Sequence, residues 1–68
     1  MIIYCGAPEA CDICQASIET EFIDGSTRMG PWANMCPSCY QQFGVGLGTG
    51  RGQHYAKQAD GTFAKIAG

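Results

Sequence analysis

Four of the five cysteines in this 68-residue chain fall into two equal spacings, Cys11-Asp12-Ile13-Cys14 and Cys36-Pro37-Ser38-Cys39, with 21 residues between the pairs. Two thiolates separated by two residues can grip one ion from a single tight turn. A second such pair completes the tetrahedral four-sulfur shell that structural zinc prefers. The pattern therefore predicts one structural zinc ion held by Cys11, Cys14, Cys36 and Cys39. It also argues against an enzyme, because a catalytic zinc keeps one position open for water or substrate and here all four go to cysteine. No nucleophile with a neighbouring base stands out elsewhere in the chain.

The length makes such an ion necessary. A chain this short forms one domain, expected over residues 1–68, and buries too little apolar surface to outweigh its ordering entropy comfortably. The hydrophobic fraction of 46% is inflated by cysteines and small alanines, and ten glycines add backbone entropy that folding must remove. A structural zinc, contributing on the order of 10 kcal/mol in small fingers, closes that gap. Disulfides are the rival staple of small secreted domains. An odd cysteine count and an N-terminus without a basic region or signal-length apolar run point instead to a soluble protein of a reducing cytoplasm with no membrane contact.

Six carboxylates against four basic residues give a formal net charge of −2. Four thiolates and a divalent ion bring the loaded protein to about −4. Generic attraction to nucleic acid is disfavoured. Arg28, Arg51, Lys57 and Lys65 lie outside the acidic stretch 9–24 and read first as ordinary solvated charges.

The elements that must position the cysteines can be read in order. A short β-prone run, 1–5, leads through a turn at Pro8 to the first pair. Residues 17–23 alternate polar and apolar, and Asp24-Gly25 is a hairpin signal, so a return strand through Thr27, Arg28 and Met29 is expected to deliver residues 32–35 beside the second pair. Pro37 and Ser38 suit a first helical turn, and Gly44 ends the helix-compatible run that follows. A knuckle, a hairpin and a last ligand pair on a helix start describe a small metal-stabilised α+β fold, a treble-clef-like zinc finger with four cysteine ligands. A zinc ribbon, the alternative, would draw both pairs from β-knuckles. The spacing resembles GATA-type treble clefs over residues 11–44, with a longer insert. That resemblance implies metal ligation by the four cysteines, while the family's basic DNA-reading residues have no counterparts here. Rubredoxin-like iron sites share the four sulfurs, but their knuckles usually carry glycine after the second cysteine, where this chain has Gln15 and Tyr40. A thioredoxin-like redox role would need a βαβ scaffold that the chain is too short to build. Cys5 in its β-prone run and His54 in a short polar segment are expected to lie off the metal.

Beyond residue 44, glycine holds every second position from Gly44 to Gly52. If extended, these glycines form a side-chain-free strip, 44–52, suited either to receiving an anion beside Arg51 or, the favoured reading, to crossing closely over the metal knuckles or Trp32 with Val45 and Leu47 in the core. Asp60-Gly61 then predicts a β-hairpin over 53–67, packed through Tyr55 and Phe63 against Ile3, Phe22 and Trp32. Residues 29–35 could instead turn Trp32 outward as a binding face, although a lone Trp in a small protein is more often its main core residue.

Residues 22–25, 29–39 and 44–55 together resemble small zinc-finger-like proteins encoded by bacteriophages and prophages. The resemblance implies a bacterial host cytoplasm and a host-directed or accessory binding role, and it marks no residue as catalytic. Two functions follow. The first is a zinc-stabilised module that engages a protein partner through Trp32, Gly48, Gly50, Arg51 and Tyr55. The second is a nucleic-acid-binding finger that uses Arg28, Arg51, Lys57 and Lys65 on one side with Tyr55 or Trp32 stacking on a base.

Overall fold

The computed structural model describes residues 2–68. Its elements are β1 (Glu21–Ser26), β2 (Trp32–Met35), α1 (Pro37–Phe43), β3 (Gly52–Lys57) and β4 (Phe63–Ala67). The four strands form one antiparallel sheet in the order β2-β1-β3-β4. The β1–β2 hairpin leads into α1, and the loop after α1 carries the chain across to the far side of β1. The N-terminal segment extends the sheet beyond β4: the Tyr4 N–H donates to the Phe63 carbonyl and the Lys65 N–H to that of Ile2, both at 2.8 Å. Met1 of the expected opening run lies outside the described residues.

Successive residues of β1 point to opposite faces, and this divides the core in two. Ile23 joins Met35, Cys11 and Cys39 on one face, with Tyr40, Phe43 and Leu47 packed around them. Phe22 goes to the other face, with Tyr55 and Phe63. Tyr4 closes that second cluster edge-on, its ring centroid 5.0 Å from those of both Phe22 and Tyr55. Phe22 and Tyr55 stack at 5.2 Å, and these are the offset and edge arrangements that the aromatic quadrupole favours. The predicted partners Ile3 and Trp32 are absent from it. Ile3 bridges Ala64 at the sheet edge with its side chain exposed, and Trp32 lies 50% exposed on the short edge strand β2.

The first hairpin forms, but its turn is displaced. Asp24 and Gly25 sit inside β1, while the reversal spans residues 27–31. Thr27 fixes that reversal, its N–H and Oγ1 both donating to the Pro31 carbonyl at 3.1 and 2.8 Å. Gly30 supplies the left-handed residue at φ 109°. Thr27, Arg28 and Met29 are therefore turn residues rather than a return strand. Gly25 has a different purpose: it faces Gly52 across the β1–β3 pair. A Cβ at Gly25 would come within 2.8 Å of the Arg51 carbonyl oxygen and 3.0 Å of the Gly52 Cα.

Helix α1 starts at Pro37 as the sequence predicts and ends where the Gly44 N–H donates to the Tyr40 carbonyl at 2.8 Å. Gly44 is extended, with φ −71°. Glycine is needed there because a Cβ would run into the Tyr40 ring. The glycine-rich stretch is not an extended strip: Gly46, Gly48 and Gly50 have φ of 121°, 120° and 79°. Such left-handed values break period-two alternation and coil the loop, and Gly48 and Gly52 exchange backbone hydrogen bonds at 2.8 and 3.0 Å. Leu47 tucks against the cysteine-side core as expected, whereas Val45 is 43% exposed. The second hairpin turns at Asp60-Gly61, and the Asp60 carboxylate accepts from both the N–H and the hydroxyl of Thr62.

Substituting Gly25→Ala should destabilise the loaded protein by about 1–3 kcal/mol, the cost of overpacking against backbone that cannot move aside. A fall in the denaturant midpoint with unchanged slope is the expected result. An unchanged midpoint would mean that β1 and β3 are not this close.

Candidate metal centre

Each cysteine pair is held by its own local structure. Residues 11–14 form a tight knuckle: the Cys11 N–H donates to the Ala16 carbonyl, and the Gln15 N–H returns to that of Cys11 at 3.0 Å. Gln15 is the one non-glycine residue with positive φ among those described, at 67°. The turn after the first pair thus adopts, without glycine, the left-handed conformation that glycine usually supplies. The Ile13 N–H points at the Cys11 sulfur, 3.4 Å away.

The second pair rides on the helix. Cys36 is the N-cap residue of α1, extended at φ −69° and ψ 160° with no side-chain cap bond, which leaves its sulfur available. Cys39 follows in the first helical turn, and the Tyr40 N–H donates to the Cys36 carbonyl at 2.9 Å. The hairpin brings the two pairs together, and Asp12 locks them. Its N–H donates to the Asn34 carbonyl and its Oδ2 accepts from the Asn34 N–H, both at 2.9 Å. The knuckle is thereby fastened to β2 two residues before Cys36. Cysteine spacing alone does not single out Asp12, although a short acceptor inside a knuckle, next to its free amide, is a signal that could have found it.

The four sulfurs converge within 4.8 Å of one another, and those of Cys14 and Cys36 are 3.7 Å apart. A tetrahedral shell with metal–sulfur bonds of about 2.3 Å needs sulfur–sulfur edges of about 3.8 Å, so the spacing fits one ion. None of the cysteines is joined in a disulfide. Cys11 and Cys39 are buried, Cys36 is half-buried and Cys14 is exposed, which leaves one corner of the shell toward solvent.

The electrostatics favour a cation. Burial opposes a charge on Cys11, yet hydrogen bonds from the backbone of Cys14, Cys36 and Ile13 and from the Cys39 thiol outweigh it and bring that thiol down to about 6. Cys39 goes the other way: burial, then its contacts with the other three sulfurs, pushes it up to about 12. Four sulfurs this close cannot all ionise unaided. A bound divalent ion removes that conflict and takes all four as thiolates.

Comparison with protein-family models, curated proteins and solved structures returns no match. The site stands on its own geometry.

The other sequence candidates are dispersed. Cys5 is exposed and outside the cluster, and the His54 ring nitrogen is hydrogen-bonded to Glu21 at 2.7 Å. Tyr55, expected both in a core with Phe63 and Phe22 and on a binding face, is buried with those rings and away from any binding face, because its register opposite Phe22 turns it inward. Trp32, Gly50 and Arg51 are exposed and Gly48 is half-buried. The four cations do not share one side. Arg28 and Arg51 lie at the Ser26 end of β1, whereas Lys57 ends β3 next to Thr20, about 20 Å farther along the strand direction. Among the described residues, no helix is long and apolar enough to cross a membrane.

Cys11→Ser and Cys39→Ser should each abolish stable metal loading and cooperative unfolding, while Cys5→Ser keeps one ion per chain. Elemental analysis with thermal melting tests this, and equal damage from all three would mean a different ligand set. Acidification should strip the ion. The loaded shell holds four thiolates and the metal-free one retains at least the Cys39 proton, so falling pH favours the metal-free form. Below about 6 the Cys11 proton competes as well. Cobalt-loaded protein, followed by its thiolate charge-transfer band, should lose colour and near-ultraviolet dichroism together in acid. Dichroism that survived loss of colour would refute the dependence of fold on metal.

Proposed function

We propose that this protein is a non-enzymatic binding module built around one structural zinc ion, with a treble-clef-like core of knuckle, hairpin and helix start. The observation that carries the reading is the convergence of four cysteine sulfurs within 4.8 Å, contributed by a tight turn and a helix N-terminus. Four protein sulfurs fill the coordination of a tetrahedral ion and leave no position for a substrate, so the metal's role is to hold the fold.

Zinc is favoured over iron by the asymmetry of the two pairs. Rubredoxin-like sites use a knuckle for each pair, and here Cys36 caps the N-terminus of α1 and Cys39 lies in its first turn. Glycine is absent after Cys14, but Gln15 there adopts the same left-handed backbone, so that position does not separate the two metals. A protein partner is favoured over nucleic acid by the acidic net charge and by the position of Lys57 at the opposite end of β3 from Arg28 and Arg51. On resemblance alone, the setting is a bacterial host cytoplasm.

Purified protein should be colourless, contain one zinc per chain and lose its dispersed amide resonances when a strong chelator is added under reducing conditions. Loaded protein should also capture a protein from bacterial lysate that the chelated protein does not. A fold unaffected by chelation removes the structural zinc. Identical capture with and without metal, or none at all, removes the binding module.

A further inference from the structure

The four sulfur ligands are not equally guarded. Cys11 is fully buried, Cys39 is 5% exposed, Cys36 is half-buried and Cys14 is exposed. The grading follows from where each residue sits. Cys11 opens the knuckle and joins the core of Ile23 and Met35, and Cys39 meets that core from the first turn of α1. Cys14 closes the knuckle and leads into Gln15, Ala16 and Ser17, all exposed, while Cys36 stands just before the helix. The edge of the shell between Cys14 and Cys36, with sulfurs 3.7 Å apart, is therefore the one that faces solvent.

Reactivity follows the same grading. Every cysteine that holds a divalent ion does so as a thiolate, the nucleophilic form of the side chain. Susceptibility to oxidation depends on thiolate character and on access. All four ligands share the first property, so access decides, and it singles out Cys14. Attack through sulfur needs no open position on the ion. The Cys36 sulfur is the partner within reach: it makes no cap bond and touches that of Cys14. The Cys11 sulfur is buried and also receives the Ile13 N–H at 3.4 Å.

Charge selects the reagent. Four thiolates around one divalent ion leave the cluster with a formal charge of about −2. The exposed carboxylate of Asp12 belongs to the same knuckle. Anionic oxidants and anionic disulfides are repelled from such a site, and a small neutral peroxide is not.

We propose that Cys14 is an oxidative modification site, at which a neutral peroxide converts Cys14 and Cys36 into a disulfide and releases the metal. The proposal rests on the structural-zinc reading and adds to it the ligand that reacts first and the bond that results. The Cys14 thiolate attacks one peroxide oxygen, an S–O bond forms, the O–O bond breaks, and hydroxide leaves. The Cys36 thiolate then attacks the Cys14 sulfur of this sulfenic acid, and the S–O bond breaks with loss of a second hydroxide as the S–S bond forms. Two sulfurs have given up two electrons, the peroxide has accepted them, and two protons from solvent convert the hydroxides to water. With two of its four thiolates removed, the shell no longer holds the ion, and Cys11 and Cys39 remain as thiols. The new bond spans 22 positions and ties the knuckle to the helix start, as the ion had done. A bond within either pair would not.

The test treats zinc-loaded protein with limited hydrogen peroxide, follows freed zinc with a chromogenic chelator, traps sulfenic acid with dimedone and maps disulfides by mass spectrometry after alkylation. Cleavage at Arg28 separates the two pairs, and cleavage before Asp12 separates Cys11 from Cys14. Zinc release should match formation of the Cys14–Cys36 bond, with dimedone on Cys14, with Cys11 and Cys39 recovered as alkylated thiols, and with zinc binding restored by reduction. Cys5→Ser should behave alike. Cys14→His keeps four ligands but removes the exposed sulfur, and it should release zinc about tenfold more slowly or less. If that variant does not load, the wild-type map decides. The proposal is overturned by dimedone on another ligand first, by a bond within a pair or to Cys5, by zinc retained after Cys14 is oxidised, by wild-type release from Cys14→His, or by no reaction where free cysteine is oxidised. Each of these leaves the structural-zinc reading standing, whereas protein that takes up no zinc removes both.

Discussion

The fold depends on the mutual approach of four sulfur atoms contributed by segments 21 residues apart. Burial and proximity make their joint ionisation unfavourable, and the opposite tendencies of Cys11 and Cys39 express that conflict. A divalent ion turns the conflict into the strongest tie in the molecule. The chain prepares for it: the N-cap role of Cys36 uses only backbone, and the Cys11 sulfur already receives an N–H from Ile13. Asp12 then holds knuckle to hairpin with two hydrogen bonds, so the ligands are positioned by backbone that is itself fixed.

The cysteine cluster occupies only one face of the sheet. The other rests on Phe22, Tyr55 and Phe63, closed by Tyr4 from the N-terminal segment. The two halves meet in β1, where the adjacent side chains of Phe22 and Ile23 go to opposite cores, and in the close pairing of Gly25 with Gly52. An ion can fix one side of so small a sheet, but the hairpin of β3 and β4 needs its own apolar contact to stay folded in water.

The parts legible in the sequence are those where chemistry and local geometry agree. Matched cysteine spacing indicates the cluster, Pro37 the helix start and Asp60-Gly61 the last turn. Where sequence and structure part, a residue has two uses. Asp24-Gly25 has the composition of a turn, yet Gly25 serves close strand packing, and nothing in a single sequence separates those uses. Alternating glycines imply an extended strip only if their φ values are negative, and Gly46, Gly48 and Gly50 are left-handed. Trp32 is expected inside because large aromatics usually are, but Tyr4, reaching the core from across the β4 edge, fills that place through a long-range pairing that no local pattern announces.

The cysteine knuckle also bears on the sheet edges. A four-stranded open sheet has two edges that invite association, and native proteins block them. At β4 the block is the N-terminal segment, through Ile2 and Tyr4. At β2 it is the metal knuckle, whose Asp12 occupies both edge groups of Asn34. The residue that orients the ligand turn thus also stops strand pairing at Asn34, and the protection ends one step short of Trp32. The turn that carries Cys11 and Cys14 therefore also limits the accessible part of the β2 edge to one residue, the one that carries the tryptophan.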